Sequence, residues 1–164
     1  MTRRRRPPLR RLGAVACSLA LLGLAGCSDT VSLDAPALSG ATARTCAALV
    51  AALPSSVADQ ASRPVDAGDG KGAAWGDPAI ELRCGVGRPA GLDRFAQCQT
   101  ANGVDWFIPD SQQSGRPQDV TMTTVGRSVY VEVRIPVDYF PPVNTMVDLA
   151  PALKRTVRSV KPCR

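Results

Sequence analysis

At Leu19 to Thr30 the chain reads LALLGLAGCSDT, an apolar run that stops at a small residue, a cysteine and then polar chain. That boundary limits what can fold, because the residues before it have the makeup of a segment that is removed. MTRRRRPPLRR places six arginines ahead of the apolar stretch Leu12 to Leu24, a charged n-region followed by a short h-region, as in a secretory signal peptide. A membrane span needs about 20 apolar residues, so this run is too short to be one. Leu12, Gly13 and Ala14 after Arg10 and Arg11 lack the polar-then-apolar order of twin-arginine export, which favours the general secretory route.

Leu24, Ala25, Gly26 and Cys27 are similar to the lipobox of bacterial lipoproteins, where small residues admit the signal peptidase and the cysteine thiol carries a diacylglyceryl group. Two acyl chains, of the palmitate kind, exceed the single-chain limit at which membrane attachment is only marginal, so the anchor should be stable. The expected organisation is a lipoprotein-type signal peptide over 1–26, a lipidated cysteine and tether over 27–40, and one extracytoplasmic domain over 41–164. The expected location is the extracytoplasmic face of the cell membrane, with the membrane itself a partner through the lipid on Cys27.

The whole chain carries 20 basic and 14 acidic residues, a net charge of +6 that by itself suggests a nucleic-acid partner. The leader, however, holds six of the arginines and no acid, so the mature chain has 14 residues of each sign and no charged tail. Nucleic-acid binding usually shows a retained basic patch, so the basic whole-chain charge speaks mostly of export, and no nucleic-acid partner is expected. The 138 residues from Cys27 onward suit one core rather than two.

With Cys17 in the leader and Cys27 given to the lipid, Cys46, Cys84, Cys98 and Cys163 remain, an even number in an exported chain, which favours two disulfides. A four-cysteine zinc site would want CxxC pairs, and the sequence has none, so no metal is expected. Three pairings are open. Joining Cys84 to Cys98 would staple the glycine- and proline-bearing GVGRPAGLDRFAQ between two strands, leaving Cys46 and Cys163 to tie the ends of the domain, and this is the expected connectivity.

Val31 and Leu33 alternate before Pro36, so SDTVSLDAPALS reads as a short tether that becomes an edge strand where it meets the domain. Cys46, Leu49, Val50 and Leu53 follow helical spacing from Thr42 until Pro54, which predicts an N-terminal amphipathic helix. Residues 55–78 lack a long period, and AGDGKGAAWGDP predicts a glycine-rich loop leading into a strand from Ala79 to Cys84. Asn102-Gly103 between two strand-like runs predicts a tight hairpin, since both turn positions need positive φ. DVTMTTVGRSVYVEVRI predicts a second hairpin with Gly126-Arg127 as a two-residue turn, setting Thr124 opposite Val129, Met122 opposite Val131 and Val120 opposite Val133. Val143, Met146, Val147, Ala150, Leu153, Val157 and Val160 predict a C-terminal amphipathic helix that Pro151 either kinks or delays. The fold class expected is α+β: a small, mostly antiparallel sheet with a helix at each end of the chain, stapled by two disulfides.

The stretches GAAWGDPAIELRCGV, ANGVDWF and TTVGRSVYVEVRIP, in this order behind a lipobox and a helix containing Cys46, resemble a family of actinobacterial envelope proteins known as domain of unknown function 3515. The resemblance runs from about Val31 to Cys163 and is most specific at Trp75-Gly76-Asp77-Pro78 and Arg83-Cys84-Gly85. The family has no established activity, so the resemblance implies no catalytic residue.

The chain contains no histidine, which removes Ser-His-Asp and Cys-His nucleophiles and imidazole metal sites together. No SxxK occurs, and Gly68, Gly70, Lys71 and Gly72 do not have phosphate-loop spacing. The ligand-binding candidates are Trp75 with Asp77 and Trp106 with Asp105, where aromatic platforms beside carboxylates could hold a sugar or peptide; the competing reading is that both rings are core and Asp77 shapes a turn before Pro78. Asp77, Asp105 and Glu132 could alternatively supply paired carboxylates for an envelope hydrolase. Lys154, Arg155, Arg158 and Lys161 form a basic side on the last helix, suited to anionic headgroups or to the helix C-terminus. Taken together these residues favour a lipid-anchored, non-enzymatic module that binds an envelope protein or cell-wall component, with no catalytic residue and no cofactor.

Overall fold

The computed structural model describes residues 29–163, so the expected leader and the lipidation site Cys27 lie outside the described residues. Two helices, α1 (Gly40–Ala52) and α2 (Val143–Thr156), accompany ten strands: β1 Val31–Ser32, β2 Ser56–Val57, β3 Gln60–Arg63, β4 Val65–Asp66, β5 Lys71–Trp75, β6 Ile80–Val86, β7 Cys98–Ala101, β8 Val104–Phe107, β9 Val120–Val125 and β10 Tyr130–Ile135. Eight strands join in the order β2-β3-β5-β6-β10-β9-β8-β7, every neighbouring pair antiparallel. β1 and β4 make a separate two-stranded parallel ladder. Mostly antiparallel α+β is therefore the architecture, and among the described residues no helix is long and apolar enough to cross a membrane.

One face of the sheet is the core face. Ile80, Leu82 and Cys84 on β6, Val131, Val133 and Ile135 on β10, Val120, Met122 and Thr124 on β9, and Val104 and Trp106 on β8 alternate onto it, and all are buried. The two helices cover them, α1 over β5 and β6 and α2 over β7 and β8. α2 also packs against β2, at the opposite edge of the strand order from β7, so the sheet has to curl around this helix. Thr145, Met146, Leu149, Ala150, Ala152 and Leu153 are the residues α2 buries. Pro151 lies inside α2 on its exposed side, and the helix runs through it but ends at Thr156, short of the Val160 that the spacing includes.

The Asn102-Gly103 hairpin forms as expected, with φ of +47° and +78° at the two turn positions and Ala101 opposite Val104. The second hairpin differs. Met122 stands opposite Val133 and Val120 opposite Ile135, a shift of two residues that preserves which face each side chain takes. Four residues rather than two separate β9 from β10, because the turn pairs with the end of the chain instead of with itself: Ser128 N–H donates to Arg158 O (2.8 Å), and Val160 and Lys161 N–H both donate to Gly126 O (2.7 and 3.1 Å). The Thr124 hydroxyl accepts the Val131 N–H at 3.0 Å where the ladder has opened.

The glycine-rich stretch expected to be loop contains β5, a strand well inside the sheet. Its glycines serve close approach: a Cβ at Gly72 would collide with Leu82 O and with Leu33, and one at Gly70 with Ala35. The segment expected to be a tether thus lies across β5 on the face away from the helices, with Leu33 buried there. Gly85, at φ +80°, forms the bulge where Tyr130 pairs with Val86 and Val131 with Cys84, and its missing side chain leaves room for Leu38.

The disulfides correct the expected pairing. Cys46 bonds Cys84 and Cys98 bonds Cys163, with Cα–Cα distances of 5.6 and 6.3 Å. The faces explain it: Cys84 points into the core, under α1, whereas Cys98 sits opposite Phe107 on the other face of the sheet. No bond could therefore join Cys84 to Cys98 without turning one side chain through the sheet. The loops closed span 38 and 65 residues. Each should contribute about 4 kcal/mol in the chain-entropy picture. Nonreducing peptide mapping of the purified protein should recover only the 46–84 and 98–163 linked peptides; an 84–98 peptide would refute this topology.

Candidate functional site

The tryptophans do not form a groove. Trp75 is 1% exposed and Trp106 0%, both in the buried cluster under the helices, with three strands between them in the sheet. The Trp75 indole N–H donates to Pro54 O at 3.0 Å; that of Trp106 has no partner among the described residues. Packing, the competing reading, describes both rings.

The carboxylates are engaged structurally and far apart. Asp77 sits on the β5–β6 turn, its side chain 88% exposed, 3.3 Å from Arg63. Glu132 pairs with Arg83, its direct cross-strand neighbour. Asp105 accepts the Thr100 hydroxyl at 2.7 Å and the Cys163 N–H at 2.9 Å, clasping the chain end onto β8. Asp105 and Glu132 share a face, but they are two strands and two residues apart, about 12 Å between Cα atoms from ordinary strand spacing. Paired glycosidase carboxyls stand at roughly 5 to 9.5 Å. Among the described residues no cluster of cysteines and acids could hold a metal ion.

A different site appears on the face away from the helices. β6 and β7 run parallel, so residues 87–97 return along that face from the end of β6 to the start of β7, where Gly91 approaches the buried Phe107 ring. At the Gly126 end, residues 157–163 leave α2, fold over the sheet edge and descend the same face to Cys163. Between crossover and chain end lies a cleft of about 640 Å³. Its walls include Leu92, Val125, Tyr130 and Val160, and the cations Arg88, Arg94, Arg127 and Lys161 against one acid, Asp93. Asp93 is turned into its own loop, accepting the Phe95 N–H at 2.8 Å.

Two of the guanidinium groups are held by backbone carbonyls. Arg88 donates through Nε and Nη2 to Leu92 O, and Arg127 through Nη1 to Val157 O (2.9 Å) and Nη2 to Gly103 O (2.8 Å). Arg94 lies over the Phe95 ring at 5.2 Å. The ion pairs formed among the described residues involve Arg63, Arg83 and Arg134, so none of the four cleft cations has its charge compensated by one. The basic side expected on the last helix is divided: Lys154 and Arg155 are in its last turn, but Arg158 and Lys161 lie beyond it, and Lys161 faces the cleft.

A family model described as protein of unknown function (DUF3515) matches residues 12–162. The chain belongs to this family. No curated protein and no solved structure matches it. The DUF3515 match takes in the Cys46–Cys84 bond, the crossover and all of the cleft lining but Cys163, which lies one residue beyond it, and it carries no activity with it. Sequence reasoning missed the cleft because its cations come from separate places; the signal available was Arg88 and Arg94 together in the cysteine-flanked GVGRPAGLDRFAQ.

Three substitutions bear on this arrangement. Trp75→Ala and Trp106→Ala should each cost about 3 to 5 kcal/mol of stability in urea unfolding, as deletion of core rings does; a loss below 1 kcal/mol would return the ring to a surface role. Gly126 has φ +66°, and a Cβ there would collide with the Lys161 carbonyl. Gly126→Ala should therefore release residues 158–163, accelerating hydrogen exchange at the Val160 and Lys161 amides at least tenfold while the Leu82 and Val133 amides stay protected.

Proposed function

We propose that this DUF3515 chain is a lipid-anchored, non-enzymatic binding module of the cell envelope, held to the extracytoplasmic face of the membrane through Cys27, with the cleft as its ligand site. The observation that carries the reading is the contrast between two sets of charges. The acids Asp77, Asp105 and Glu132 are paired or hydrogen-bonded within the fold, whereas the four cleft cations have no ion-pair partner among the described residues and two of them, Arg88 and Arg127, are held in place by backbone carbonyls. Chemistry on a substrate would need acids or bases free to move protons, and binding needs a shaped, charged pocket. The volume of about 640 Å³ falls in the range of small-ligand sites.

Lipidation is supported by the leader and lipobox ahead of a domain that begins immediately after them. Cys27→Ala should move the protein from the membrane fraction to the soluble one or leave an uncleaved precursor, and an unmodified N-terminal peptide in wild-type protein by mass spectrometry would refute the anchor. A photocrosslinker in place of Val160, on the cleft wall, should give a specific adduct in native envelopes that the same group at Asn144, exposed on α2, does not. Equal labelling from both positions would refute the cleft as the binding site.

A further inference from the structure

We propose that the cleft recognises a phosphoryl group joined to a less polar moiety, presented from the envelope and not from the bilayer that anchors the protein. The proposal rests on reading the cleft as the binding site and adds the chemistry of its ligand.

Charge and shape supply the first argument. Four cations with no ion-pair partner among the described residues surround one cavity, and its only acid is committed to a loop turn. Arginine forks match tetrahedral oxyanions through parallel N–H bonds, and a phosphoryl group carries up to two charges for several cations to share. Leu92 O holds the Arg88 head, and Val157 O and Gly103 O hold that of Arg127, so little side-chain freedom remains to be lost on binding. The cavity is far larger than one phosphate, and Val125, Tyr130 and Val160 line the remainder with apolar surface. That composition fits a phosphate with an organic group attached.

Orientation supplies the second. Arg63 donates to Asp29 O at 2.8 Å and to Gly76 O at 3.1 Å, so the first described residue sits by the β5–β6 turn. Cys27 is two residues earlier and reaches at most about 7 Å further. The cleft opens by Gly126, at the other end of the strands. The seven residues of β6 span about 20 Å between these ends. Headgroups of the anchoring bilayer are thus on the far side of the domain from Arg94 and Lys161.

The test uses the lipidated full-length protein in neutral detergent micelles, with inorganic pyrophosphate as probe and titration calorimetry as readout. Saturable one-site binding is expected, weakened at least tenfold by the double variant Arg94→Ala/Lys161→Ala and less than twofold by Arg116→Ala/Lys154→Ala, which removes equal charge elsewhere. Unchanged thermal unfolding of both variants shows that folding is intact. Doping the micelles with phosphatidylglycerol should leave pyrophosphate affinity unchanged; its loss would mean that the cleft takes the anchoring membrane's own headgroups and would overturn the orientation. No saturable binding, or equal weakening by both variants, would overturn the phosphoryl assignment. A persisting crosslink from Val160 in that case would show that the cleft binds something of another class, so the two readings fail separately.

Discussion

Helix α2 touches strands at both edges of the sheet, and the rest of the molecule follows from that contact. A flat eight-stranded sheet would keep β2 and β7 far apart, yet both pack on this helix. The curl closes a core around Leu149 and Leu153, places both tryptophans inside it, and directs the opposite face outward. Since all strand alternation is referred to this core, each side chain's role on β8, β9 and β10 is set by which side of the curl it occupies. Asp105, Glu132, Tyr130 and Phe107 end up on the outer side together, without any local sequence signal linking them.

That outer side is covered by irregular chain instead of helices, and covalent and polar ties hold it in place. The Cys98–Cys163 bond, the Asp105 carboxylate on the Cys163 amide and the Gly126 carbonyl on two amides of the chain end each fix residues 157–163 to a different strand or turn. An unsupported terminus would fray. Held at these points, it becomes one wall of a cleft whose other wall is the crossover, and rigid walls let arginine heads be prepositioned.

What could be read from sequence depended on whether the deciding interaction was local. Asn102-Gly103 specifies its own hairpin, because the two residues tolerate positive φ without help. Ala58-Asp59 makes a comparable turn between β2 and β3 at φ +48° and +62°, and it was illegible: Asp59 tolerates that region but Ala58 does not, and the turn is supported from α2 by Asp148, which accepts the Ala58 N–H at 2.8 Å. The β9–β10 register failed by two residues for the same reason, its turn being occupied by residues from thirty positions away. Alternation survived the error because a shift of two keeps the faces. Cysteine pairing and the cleft are both questions of which face a residue takes after long crossings, and nothing in the local spacing of Cys84, Cys98, Arg88 or Lys161 encodes that.

The placement of the Cys46–Cys84 bond bears on how the molecule responds to load. If the protein is anchored at Cys27 and a ligand is held in the cleft, any pull between them enters the fold at residue 29 and tends to peel the N-terminal segment off the sheet. That segment is attached by the short β1–β4 ladder and by the contacts of Leu33, Ala35 and Leu38, so it is the first part to give. Peeling stops at Cys46, which is covalently joined to β6 in the middle of the core. The seventeen residues from 29 to 45 would span about 60 Å in all when extended. In a protein anchored that way the N-terminal segment would be an extensible leash, with the Cys46–Cys84 bond as its end stop.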